Sequence, residues 1–148
     1  MSLDVDVVPF LITTLRLGMG TGPGKWRSVK YGEQFSVAQA PEMWLLNASA
    51  QWPMKAGSNV EQDDWYFEAR ILFPFANDQQ NAEKQIAACF EPLRSLFRQH
   101  LKIGNPTQIA WARPMSANWS WTVINNVTYR MASIRITVRE KYGVTVTP

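Results

Sequence analysis

The stretch Ala117-Asn118-Trp119-Ser120-Trp121-Thr122-Val123-Ile124-Asn125-Asn126-Val127-Thr128-Tyr129-Arg130-Met131-Ala132-Ser133-Ile134-Arg135-Ile136-Thr137-Val138 decides the fold. Two alternating runs flank Asn125-Asn126, and asparagine tolerates the positive φ that a two-residue hairpin turn demands. Such a turn pairs residues whose numbers add to 251, so Trp119 faces Ala132 and Ala117 faces Ile134. The hydrophobic phase requires the same register. Ala117, Trp119, Trp121 and Val123 share a face with Ala132, Ile134, Ile136 and Val138. This face is expected to be buried, with both tryptophans in the core. Ser133, Arg135, Thr137, Arg139 and Lys141 fall on the opposite face.

Upstream, Asp64 to Phe73 alternates again. Trp65, Phe67, Ala69, Ile71 and Phe73 take one face, and Tyr66, Glu68 and Arg70 the other. Ala56 to Asp64 is expected to be a polar turn, and Met43 to Trp52 a strand stopped by Pro53. Pro74 ends the Asp64 strand, and Asn77 or Asp78 can cap a helix over 79–101. Its stripe is Ala82, Ile86, Cys89 or Phe90, Leu93, Phe97 and Leu101, widened by Leu96. Pro92 lies mid-helix and predicts a kink or break. Gly104-Asn105-Pro106 closes the segment.

Residues 4–17 carry Val5, Val8, Ile12 and Leu15 at helical spacing, with Leu11 beside them. Pro9 sits about one turn in, and Gly18 stops the helix. Residues 18–42 are rich in glycine and proline and are expected to form a long flexible connection, with a short strand within Tyr31 to Val37. The sum is one domain over 1–148: an α+β fold in which two helices cover one face of a mostly antiparallel sheet.

The chain has 148 residues and a formal net charge of +3, too mild to argue for nucleic acid on charge alone. The acidic N-terminus lacks the basic and apolar regions of a signal peptide. No apolar run approaches the ~20 residues that cross a bilayer, so no membrane is expected. A lone cysteine, Cys89, makes no internal disulfide, and on the apolar stripe it is a small buried hydrophobe. With no secretion expected, the Asn-x-Ser/Thr triplets at Asn47, Asn118 and Asn126 carry no weight.

Gly18-Met19-Gly20-Thr21-Gly22-Pro23-Gly24-Lys25 invites comparison with a phosphate loop. Met19 stands where the first glycine belongs, Trp26 replaces the hydroxyl, and a helix rather than a strand precedes it. His100 is the only histidine, so a metal site or catalytic triad lacks its partners. Glu61, Asp63 and Asp64 lack the alternating ligands and glycine of a calcium loop and are read as a solvated turn. No enzyme chemistry and no cofactor are expected.

Two sets remain as candidate interface residues. Lys25, Trp26 and Arg27 form a contact arm in the glycine-rich segment, since interfaces concentrate Trp and Arg. Glu68, Arg70, Arg135 and Arg139 lie on the polar sheet face. That face is a solvated surface with the arginines paired to Glu68 and Glu140, or a protein interface, or a surface near DNA.

Trp65-Tyr66-Phe67-Glu68-Ala69-Arg70-Ile71-Leu72-Phe73, Asn81-Ala82-Glu83-Lys84-Gln85-Ile86 and Tyr129-Arg130-Met131-Ala132-Ser133-Ile134-Arg135-Ile136 give a pattern and element order similar to the tail terminator (tail completion) proteins of long-tailed bacteriophages. The resemblance covers the whole chain by order and length and rests on no diagnostic motif. It implies a virion structural protein of the tail or neck, assembled in the host cytoplasm. It implies a homo-oligomeric ring, a hexamer, that caps the tail tube protein and joins the tail to a head connector or neck protein, with DNA passing through its lumen. The alternatives are a head–tail connector or other neck ring protein, or a small nucleic-acid-binding module. The last needs exposed aromatics among its cations, whereas Trp119 and Trp121 are expected on the core face.

Overall fold

A computed structural model describes residues 7–22, 24–51, 60–74, 79–99 and 109–143. The hairpin forms as the sequence dictates. Strands β4 (Ile109–Ile124) and β5 (Val127–Gly143) meet at Asn125 and Asn126, whose φ values are 51° and 62°. Trp119 pairs with Ala132 and Ala117 with Ile134. That register holds as far as Ser116 opposite Arg135, then shifts at a bulge between Pro114 and Ser116. Pro114 cannot donate to a ladder, and β4 is the edge strand, where a proline and a bulge are tolerated.

Five strands form one sheet in the order β1-β2-β3-β5-β4, from β1 (Ser28–Tyr31), β2 (Glu42–Gln51) and β3 (Val60–Pro74) with the hairpin. Only β1 and β2 run parallel. Two helices, α1 (Val8–Arg16) and α2 (Gln79–Gln99), complete an α+β fold. Phe67, Ala69, Ile71 and Phe73 share one core with Ile134, Ile136, Leu11, Leu15, Ile86 and Leu93. Both helices therefore pack on the greasy face of the sheet, as alternation requires.

Several boundaries differ from the sequence reading. β3 begins at Val60, so residues 60–64 are strand and not turn. Val60 to Asp63 pair with Glu140 to Gly143 of the long β5, and this pairing overrides the poor strand propensity of Asp and Glu. β1 lies at Ser28–Tyr31, earlier than the predicted strand, and Gly32 with φ 90° ends it. α1 starts at Val8, so Pro9 occupies its first turn, where the missing N–H is no loss. Its buried face is Val8, Phe10, Leu11, Thr14 and Leu15, with Ile12 at the margin. α2 runs unbroken through Pro92. The predicted positions Val5, Trp52, Pro53, Asn77, Asp78, His100, Leu101 and Gly104-Asn105-Pro106 lie outside the described residues.

The largest departure is the glycine-rich segment. Trp26 is fully buried, and its indole Nε1 donates to the Leu15 carbonyl at 2.9 Å, stitching the segment to the end of α1. A Cβ on Gly18 would collide with that indole. Gly24 has φ 75°, and a Cβ there would come within 2.5 Å of the Ala88 carbonyl of α2. Pro92, four residues further along α2, has no N–H to give that carbonyl, and the Gly24 turn packs against it. These two glycines serve close packing, not phosphate binding.

Candidate interaction surface

The β3–β5 register places Glu68 opposite Arg135, Arg70 opposite Ser133 and Asp64 opposite Arg139, all on the face away from the helices. Arg70 Nε donates to Glu68 Oε1 at 3.0 Å, and its Nη1 lies 3.6 Å from Glu33. Burial alone would raise the Glu68 pKa, but the Arg70 and Ser133 hydrogen bonds outweigh it and hold the carboxyl below its usual range. Arg135 is exposed and stacks on Tyr66 at 5.1 Å.

Arg139 grips Asp64 with two hydrogen bonds, Nε to Oδ1 at 2.8 Å and Nη2 to Oδ2 at 2.9 Å. These bonds raise its pKa further. Asp64 is therefore the acid of this pair. Glu140, the partner expected from sequence, alternates to the core face and accepts from Trp65 Nε1 at 2.6 Å. Asp63 and Asp64 are adjacent on a strand and point to opposite faces, so the acid cluster does not converge. Trp111 lies between Arg113 and Arg139, at 4.5 and 4.8 Å from its ring centroid.

At the other end of this face, Glu42 is fully buried. Its oxygens accept from Ser28 at 2.8 Å and Trp44 Nε1 at 2.7 Å, with Lys30 Nζ at 3.2 Å. Burial raises its pKa, and these partners together more than offset that, leaving the carboxyl below its ordinary value. Trp44 is thus a structural anchor.

The four polar-face candidates share a face but not a role. Arg139→Glu sets two carboxylates together beside the nearly buried Asp64, and is expected to cost about 2–4 kcal/mol of stability, below the full range for buried pairs because Arg139 is part-exposed. Arg135→Glu is expected to cost under about 1 kcal/mol. Urea unfolding of both variants separates them, and equal losses would contradict the assignment of Arg139 to the fold.

Lys25, Trp26 and Arg27 do not act as one arm. Trp26 is core, Lys25 is exposed, and half-buried Arg27 donates through Nη1 to the Gly20 carbonyl.

Four of the exposed large hydrophobic residues lie on β4, where alternation alone gave no warning. Trp119 and Trp121 occupy the predicted face yet remain 48% and 45% exposed, and Val123 is 65% exposed. The hairpin outruns its helical cover. Trp119 meets Phe90 of α2 edge to face at 5.3 Å, and Trp121 is capped by Arg130 at 4.8 Å. Arg130 in turn reaches Glu83 of α2 at 2.8 Å. Beside this strip a groove of ≈ 400 Å³ runs between α2 and β4, lined by Phe90, Leu93, Pro114, Met115, Trp119 and Ile134. Phe35, between β1 and β2, is also wholly exposed.

Burial pushes the Cys89 thiol up to about 11, so it is not a thiolate nucleophile at neutral pH. Among the described residues no cluster of His, Cys, Asp and Glu could hold a metal ion, and no helix is long and apolar enough to cross a membrane. No protein-family model matches the chain, and comparison with curated proteins finds no relative.

Proposed function

We propose that this chain is a structural subunit that works by docking, as a ring-forming tail terminator of a long-tailed phage virion. One observation carries the reading. The sheet ends in β4, a 16-residue edge strand whose outer backbone edge pairs with no described strand, and Met115, Trp119, Trp121 and Val123 are exposed along it. Pro114 and the bulge blunt one end of this edge, but from Ala117 to Ile124 it carries no charge, and an open apolar edge pairs with other chains. Contiguous exposed apolar residues on a soluble chain mark a place where another protein sits. A ring supplies that cover, since each subunit offers one patch to the next, head to tail.

In this reading the ring caps the tail tube and joins it to the head connector, with DNA passing through the lumen. Function lies in surface complementarity, with no bond made or broken. A head–tail connector or another neck ring would use the same surface. A nucleic-acid module draws support from the exposed tryptophans, which the sequence had placed in the core. However, Arg130 already covers Trp121, and Trp111 lies between two arginines, so stacked bases would have to displace guanidinium groups.

Light scattering on the purified full chain tests the proposal. The expected result is a discrete closed oligomer, six-membered if the resemblance holds. A chain that stays at its monomer mass of 16.9 kDa at every concentration overturns the ring.

A further inference from the structure

Burial of Trp26 has a consequence for its neighbours. Met19 and Trp26 form a strand-like bridge, and in an extended segment the residues on either side of an inward side chain turn outward together. Lys25 and Arg27 therefore both reach the mouth of a cleft of ≈ 420 Å³ between the glycine turn and α2. Lys84 enters it from α2. No carboxylate is among the described residues that line it, and none of the three cations makes an ion pair with a described residue. The far wall is apolar, from Pro41, Phe73 and Ala88. Gln85 also lines the cleft.

We propose that this cleft binds a small phosphate ester. Three formal positive charges, with no acid among the described lining residues, exceed what one carboxylate neutralises and match a phosphate dianion. The apolar wall suits the remainder of such a ligand, and the volume falls in the range of small-molecule sites, about 300–1,000 Å³. The site is unrelated to a Walker loop. Its cations come from an anchored turn and from the side of a helix, and its glycines serve packing. The proposal is independent of the ring, since the cleft lies on the opposite side of α2 from the groove against β4.

Calorimetric titration of the full chain with adenosine monophosphate at fixed ionic strength tests it. Saturable one-to-one binding is expected. Lys25→Gln and Lys84→Gln, at exposed positions that leave the fold intact, are each expected to weaken binding at least about tenfold. Arg135→Gln is expected to leave it unchanged. Absence of saturable binding overturns the site. So does binding that Lys25→Gln and Lys84→Gln leave untouched. A short oligothymidylate that binds more tightly than the mononucleotide and loses affinity with Arg135→Gln would also overturn it, and would move recognition to the polar sheet face.

Discussion

Trp26→Ala is expected to remove about 3–5 kcal/mol of stability, the cost of emptying a large aromatic site. The whole stability of a domain this size is about 5–15 kcal/mol, so the variant loses a large fraction of it. Three contacts make the loss large. The indole fills the space that Gly18 leaves open, it packs beside Leu96, and its Nε1–H holds the C-terminal end of α1 through Leu15. Removing Gly20 to Arg27 is expected to be worse, because it also takes away the Gly24 turn against α2. Lys25→Ala, one residue away and exposed, is expected to change stability by under about 0.5 kcal/mol. Urea denaturation of the variants gives the comparison. A Trp26→Ala protein as stable as the parent would restore the reading of this segment as a flexible contact arm.

That contrast shows where sequence reading ends. Glycine and proline in residues 18–42 have two physical uses, freedom and close approach, and composition does not distinguish them. Gly18 and Gly24 are tight because of a particular indole and a particular helix carbonyl, both supplied by tertiary contacts. The hairpin was legible for the opposite reason. Asn125-Asn126 sets the register locally, and the apolar phase of the flanking strands sets it again without reference to the turn. Val60 to Asp63 carries no alternation, and becomes strand only because β5 is long enough to pair with it.

The candidate surface divides in the same way. Glu68 and Arg70 are two apart on one strand, so their pairing followed from alternation. The Arg139–Asp64 pair spans 75 residues and follows only from the β3–β5 register. For Trp119 and Trp121, phase gave the correct face but not the depth. Depth depends on how far α2 reaches along the hairpin, a matter of relative length and crossing that no local pattern encodes. The uncovered strip that motivates the functional proposal was therefore invisible in the sequence, although each of its residues had been assigned to the right side.

The strip also gives the sharpest test of function. Met115→Lys combined with Val123→Lys places two charges on β4 at positions 54% and 65% exposed. The isolated subunit is expected to melt within about 0.5 kcal/mol per site of the parent, since neither side chain is part of the core. In an assembly that covers this edge, each lysine must be desolvated without a partner, at about 2–5 kcal/mol apiece. Association is then expected to weaken about a thousandfold or more, reducing the ring to monomers. Lysine on an edge strand is also a recognised way by which sheets refuse further strands. If the ring ends a growing phage tail, supplying only this variant is expected to yield tails of irregular or excessive length that fail to join heads. Electron microscopy of the particles reads that outcome, and light scattering reads the ring. Parallel loss of folding and assembly would mean that β4 is core after all. A ring that forms normally with both lysines in place would mean that its contacts lie elsewhere, and that the open edge of β4 is not what this chain docks with.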